Sequence, residues 1–257
     1  MSNPRTEHIM GTAIVIDVRD QPTTDASIES ATEAAFEHLR EIDRRFSTYR
    51  GDSEISRHNN GELSPDEYSI ELRAVLGMCA QARRLSDGYF DIRNHRRDGT
   101  IDPSGLVKGW SVEGAARILE TAGAANFTIN AAGDVVIRGE AEAGVPWRIG
   151  IRNPWDAQTV VAVVAGRALA IATSAAYERG DHIINPHSGR APEGIASMTV
   201  VGPSLTWADA WATAAFAMGV RGVDWVAREL NGYEAMAVTS DRHLVMTAGF
   251  EHLLTRV

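Results

Sequence analysis

The 257 residues carry 25 basic and 34 acidic side chains, a net charge of −9, and 44% of them are hydrophobic, which excludes wholesale disorder and argues against non-specific binding to nucleic acid. A single cysteine, Cys79, excludes an internal disulfide and a Cys-based zinc centre. No apolar run approaches the roughly 18 residues of a bilayer span. In chain order, Ala13–Val18 reads as a strand. Its apolar core Ile14-Val15-Ile16 runs into Asp17 and Arg19, unlike the apolar region of a secretory leader. Ile28, Ala31, Ala35, Leu39, Ile42 and Phe46 recur at three- and four-residue steps and predict an amphipathic helix. Residues 48–61 are polar and end in the turn Asn59-Asn60-Gly61. Ser64-Pro65-Asp66-Glu67 is a capping signature, and the stripe Leu72, Val75, Leu76, Cys79, Ala82, Leu85 belongs to the helix that follows.

Residues 94–100 read as a charged surface connection, and a third helix is expected from about Val107 to Thr121. The period then changes. Short apolar or alternating runs at 127–130, 135–138, 147–152, 160–164, 168–172 and 198–201 predict strands. Thr206 is expected to cap a helix over 207–218, with a further helix over 223–230 and a closing hairpin of 233–239 with 244–247. Helices early and strands late predict an α+β fold with a largely antiparallel sheet. The expectation is one domain over residues 1–257, with two lobes dividing near 94–104.

Four segments could carry chemistry. Asp102 to Gly109 brings glycine and Lys108, the only lysine of the chain, to a helix N-terminus, where phosphate is favoured. It is not a Walker A loop, because Trp110 follows Gly109, and on local pattern an ordinary loop capped by Asp102 or Ser104 is the favoured reading. Asp209 and Thr213 share a helix face at i and i+4 among alanine and tryptophan. Two hard oxygens suit Mg²⁺ better than zinc. The alternative is a capping box that pairs Asp209 with Thr206. Asn130 to Asp134 reads as a hairpin turn. His182 and His187 flank Pro186, which makes a poor zinc spacing.

In order along the chain, Met10-Gly11-Thr12, Phe46 to Ser56, Asp87 to Asp91 and Asp102 to Gly109 resemble the ApbE family. So do Asn130 to Asp134, Ala172 to Arg179, His182 to Gly189 and Ala208 to Thr213. No one of these motifs is diagnostic; their order along the chain is what makes the likeness specific. The resemblance implies a two-lobed α+β fold and a Mg²⁺-dependent FAD:protein FMN transferase, which moves FMN from FAD onto a threonine or serine of an acceptor protein and releases AMP. It implies metal ligation by the Gly105 carbonyl, Asp209 and Thr213. It implies flavin or nucleotide contacts at Met10, Tyr49, Tyr89, Phe90, Asp91, Asp102, Lys108 and Ile184. Catalytic roles fall to Lys108, Asp209 and His182, the last as proton acceptor. Readings that share the site are an FAD pyrophosphatase and a non-catalytic FAD-binding protein. The segment between Asp91 and Asp102 is shorter than in many members, and Asn185 stands where an aspartate is usual. Without a recognisable leader or lipid-anchor cysteine, the expectation is a cytoplasmic enzyme with no membrane anchor.

Overall fold

The computed structural model describes residues 4–20, 25–93, 99–176 and 183–255. Its centre is an eight-stranded antiparallel sheet. The strand order is β1 (Arg5–Ile9), β2 (Thr12–Val18), β3 (Phe127–Ala131), β4 (Asp134–Arg138), β8 (Ala168–Ala175), β9 (Ile195–Gly202), β10 (Glu234–Thr239) and β11 (Leu244–Met246). Between the neighbours β4 and β8 the chain builds a second sheet from β5 (Glu140–Glu142), β6 (Val145–Asn153) and β7 (Asp156–Gly166). The helices are α1 (Asp25–Phe46), α2 (Glu54–Asn59), α3 (Ile70–Leu85), α4 (Ser104–Thr121), α5 (Leu205–Ala217), α6 (Arg221–Glu229) and α7 (Ala248–Glu251). The α+β class and the antiparallel sheet agree with the expectation.

Alternation along the strands separates two cores. Val136, Ala170, Ala172, Met198 and Val200 meet the buried faces of α1, α3, α4 and α5. Their neighbours Val135, Ile137, Ile171, Val201 and Met236 meet Trp147, Ile151, Val164 and Phe250 on the other side. A sheet covered on both faces buries its strands on both sides, which is why β4 and β9 are buried almost throughout, their polar residues Asp134, Ser197 and Thr199 included. Helix α5 is buried nearly all round, and its alanines let it lie between the sheet and α4. Among the described residues no helix is long and apolar enough to cross a membrane.

Several boundaries differ from the sequence reading. The Ser64 capping box forms, with Glu67 Oε2 accepting the Ser64 amide at 3.0 Å, but it closes only the 3₁₀ turn Pro65–Glu67. Tyr68 is extended, and α3 starts behind Ser69, whose hydroxyl oxygen accepts the Leu72 amide. Strand β1 and helix α2 were not expected. Helix α4 begins three residues early, so Gly105 is helical rather than part of the loop before it. Helix α5 begins at Leu205 behind Ser204, so Thr206 is not its cap. Asp209 therefore lies beyond the first turn, and the capping-box alternative for it is excluded.

Candidate active site

A cavity of about 1470 Å³ opens on the sheet side of α4. Every described residue of the predicted site lines it. Met10 comes from the β1–β2 turn, Tyr49 from the segment after α1, and Tyr89, Phe90 and Asp91 from the turn after α3. Asp102 precedes α4, which brings Gly105 and Lys108. Ile184 comes from the loop before β9, and Asp209 and Thr213 from α5. His182, Tyr177, Glu178 and Arg179 lie outside the described residues. The volume exceeds the ~300–1,000 Å³ of ordinary small-ligand pockets, which leaves room for a dinucleotide and an incoming side chain.

Helices α4 and α5 cross closely at the cavity floor because α4 offers glycine there. A Cβ on Gly109 would sit 2.4 Å from the Leu205 carbonyl oxygen and 2.8 Å from Asp209 Cβ. The close approach lets the Gly109 amide donate to Asp209 Oδ2 at 2.9 Å. Asp209 is 5% exposed, so this bond supplies part of the partnership a buried carboxylate requires. One turn back, a Cβ on Gly105 would lie 3.0 Å from Thr213 Oγ1. Ser174 Oγ on β8 is 3.4 Å from the same hydroxyl.

Lys108 reaches across to β4. Its Nζ stands 2.8 Å from Asp134 Oδ2, outside the aligned directions of a hydrogen bond, so the contact is an ion pair. Asp134 is 1% exposed, and its Oδ1 accepts the Thr173 amide at 3.1 Å. A buried carboxylate so placed fixes the ammonium at the cavity wall. The sequence reading gives Asn130 to Asp134 as a hairpin turn and as one of the ordered motifs, with no role for Asp134 itself. The available signal was that a lone lysine entering a polar site needs a counter-charge. Ala132 (φ 52°) and Gly133 (φ 95°) form the left-handed turn that puts Asp134 first on β4.

The aromatic residues divide. Tyr49 is 88% exposed at the rim, whereas Phe90 is 3% exposed and belongs to the helical core. Phe90, expected with Tyr49 and Tyr89 to contact the flavin or nucleotide, therefore packs inward: the Ser86 hydroxyl takes its amide at 2.9 Å. Tyr89 lies 4.5 Å from the His187 ring, and His187 Nε2 is 2.9 Å from the Asp87 carbonyl oxygen. That contact ties the loop before β9 to the turn after α3. Asp91 is paired with Arg83 at 3.4 Å. The short segment after Asp91 closes where the Asp102 amide donates to the Ile92 carbonyl at 2.6 Å. Asn59 of α2 clamps Ile101 through both its amide atoms. Asn185 Oδ1 accepts the His187 amide at 2.9 Å, a turn role that needs an oxygen but no charge.

The family model described as ApbE family matches residues 10–98 and 92–237. The chain belongs to the ApbE family. An FAD:protein FMN transferase of Vibrio cholerae serotype O1 is 29% identical over 266 residues, spanning 82% of this chain and 79% of that protein. Another of that description, from Escherichia coli K12, is 33% identical over 129 residues, spanning 46% and 37%. The crystal structure of the Thermotoga maritima ApbE protein superposes with TM-score 0.85 over the whole of both chains at 23% identity. The Vibrio cholerae flavin transferase ApbE does so with TM-score 0.84 over 99% of each at 24%. These two structures share the ApbE fold with this chain.

The donor chemistry of this ApbE-family cavity bears on a metal. Among the described residues no three His, Cys, Asp or Glu side chains converge on one point. The set at issue has one carboxylate, one hydroxyl and one main-chain carbonyl, hard oxygens that fit Mg²⁺ and leave positions for phosphate. The Gly109 amide is the one a regular helix directs at the Gly105 carbonyl. A main-chain carbonyl oxygen carries two lone pairs, so the Gly105 carbonyl can ligate beyond its helical bond. Among the described lining residues the carboxylates of Asp43, Asp91, Asp102 and Asp209 outnumber the cations Lys108 and Arg152. An anionic substrate would enter such a cavity with a neutralising cation.

Proposed function

We propose that this ApbE-family transferase moves FMN from FAD to a serine or threonine hydroxyl of an acceptor protein, with Mg²⁺ as cofactor and AMP as leaving product. The observation that carries the reading is the convergence, on one cavity, of the described residues that the family resemblance singles out. The names of relatives such as the Vibrio cholerae protein support the same activity.

In this reaction the acceptor oxygen forms a bond to the phosphorus on the FMN side. The bond from that phosphorus to the bridging oxygen breaks, and AMP leaves with the bridging oxygen. Asp209, Thr213 and the Gly105 carbonyl would hold Mg²⁺, which when bound supplies Lewis-acid neutralisation of phosphate charge. Lys108, oriented by Asp134, places a point charge beside the pyrophosphate. Tyr49 at the rim and Tyr89 over His187 offer faces to the flavin or adenine rings. His182 accepts the proton from the incoming hydroxyl, as general base. Ser174, beside Thr213, orients the threonine hydroxyl.

The test is AMP release from FAD, measured with and without an acceptor protein and with and without Mg²⁺. Release that needs both supports the transferase. Release without acceptor assigns a pyrophosphatase, and FAD binding without release assigns a binding protein.

A further inference from the structure

Helix α5 carries both Asp209 and Thr213, yet it does not cap itself. Its N-cap Ser204 makes no side-chain capping bond, and its first turn has no acidic residue. The acceptor comes instead from α4. Glu113 Oε2 takes the Ser204 hydroxyl at 2.8 Å, the Thr206 amide at 2.9 Å and the Thr206 hydroxyl at 2.5 Å. A carboxylate at a helix N-terminus is favoured by the exposed amides and by the dipole. Here that carboxylate belongs to a different helix, so the cap also fixes where α5 lies on α4.

The same stripe of α4 continues into the cavity. Gly105 meets Thr213, Gly109 meets Asp209, and Glu113 meets Ser204 and Thr206. Each step of four residues along α4 is answered by a step of about four back along α5, which is an antiparallel register of two packed helices. The two glycines make close approach possible but do not set its position along the axis. Of these contacts, the three bonds of Glu113 are the directional ones that pin the end of α5, and the amide of Gly109 is the one that pins its middle.

We propose that Glu113 is a positioning residue for the cation site: it locks the register of α5 on α4 and thereby holds Asp209 and Thr213 opposite Gly105. The inference rests on the functional reading above, since it concerns the Mg²⁺ assigned there. Loss of the lock lets α5 slide or tilt, which separates the oxygen donors while leaving each of them in place in the sequence. The effect belongs to metal affinity, and saturating Mg²⁺ restores turnover.

The experiment compares Glu113→Ala and Glu113→Gln with Glu234→Ala. Glu234 accepts a bond from the Thr247 hydroxyl at the start of α7 and does not line the cavity, so its loss costs stability elsewhere. Two readouts are taken: the rise in melting temperature on adding Mg²⁺ to protein without FAD, and the Mg²⁺ dependence of AMP release. In Glu113→Ala the half-saturating Mg²⁺ concentration is expected to rise about tenfold or more, as for loss of other groups that orient metal ligands, with near-normal kcat at saturation. Glu113→Gln, which keeps an acceptor oxygen, is expected to fall between Glu113→Ala and the wild type. Glu234→Ala is expected to melt earlier yet titrate as the wild type does. A folded Glu113→Ala protein with wild-type Mg²⁺ titration overturns the assignment. If that variant does not fold, Glu113→Gln decides: a raised half-saturation supports the lock, and an unchanged one overturns it. A wild-type protein with no Mg²⁺ response in either readout overturns the functional reading, and this inference with it.

Discussion

At the scale of single residues, the buried carboxylate of Asp209 is the most informative group. In the sequence no basic residue lies within a helical turn of it, so its own helix offers no counter-charge. The fold modifies that argument, because the Gly109 amide reaches Asp209 from α4. A carboxylate can accept about four hydrogen bonds, so an amide donor and a cation are compatible partners for the same group. Asp209→Ala is expected to abolish Mg²⁺-dependent AMP release. Its stability cost is expected to be modest, about 1 kcal/mol, the scale of one net hydrogen bond, since what is lost is the bond from the Gly109 amide. Thr213→Ala removes a neutral oxygen and is expected to weaken Mg²⁺ affinity less. Metal titration and thermal melting of both variants check the pair; an active Asp209→Ala enzyme would remove Asp209 from the metal site. The motif reading had already placed these two residues together, because i and i+4 on a helix is a local relation. It includes Asp134 in a motif but not its pairing with Lys108, which exists only after β4 and α4 have packed.

At the scale of elements, the α4–α5 crossing governs the cavity floor. Intrinsic propensity favours alanine over glycine in a helix interior by about 1 kcal/mol. At Gly109 the packing reverses that preference. The added Cβ would meet the Leu205 carbonyl oxygen at 2.4 Å, and main chain cannot move aside without parting the helices. Gly109→Ala is expected to destabilise by roughly 1–3 kcal/mol, as overpacked cores do, and to lose AMP release even where the protein remains folded. Urea unfolding and activity at low temperature check both parts. A stabilised variant would show that the crossing is looser than described. The helical stripe of α1 and the capping box at Ser64 were legible in the sequence, but the length of what each begins was not. Ser64 closes a single 3₁₀ turn because Tyr68 goes extended, and Ser69 begins α3 instead.

At the scale of the whole molecule, the layers impose a pH dependence through His38. Its ring lies between α1 and α4, with Nε2 buried against the main chain of α4, where a Cβ on Gly114 would lie only 2.3 Å from that nitrogen. Burial pushes its pKa below the ordinary 6.5, and the Arg117 charge adds to this, while a hydrogen bond with the Ser111 backbone opposes it. The folded state therefore holds the neutral ring more strongly than the unfolded chain does. That contribution is complete above about pH 6.5 and is lost as pH falls below 6.5 through the lowered folded value. Between pH 7 and pH 5 the wild type is expected to lose more melting temperature than His38→Gln, which does not titrate. Equal losses in melting curves across that range would show that His38 does not report on the interface.

The sequence by itself determined the α+β class, most of the helices and strands, the family, and a set of residues whose described members line one cavity. Those features rest on periodicity, turn chemistry and ordered motifs, all of which are local or read in sequence order. Only the tertiary structure decided the Lys108–Asp134 pair, the burial of Phe90, the excursion of β5–β7 between adjacent strands, and the cap that α4 provides for α5. Each of these joins segments distant in the chain, and the close approach that creates it depends on two packed surfaces at once. Glu113 looks like any helix-surface acid until the start of α5 lies against it, 91 residues further along in the case of Ser204.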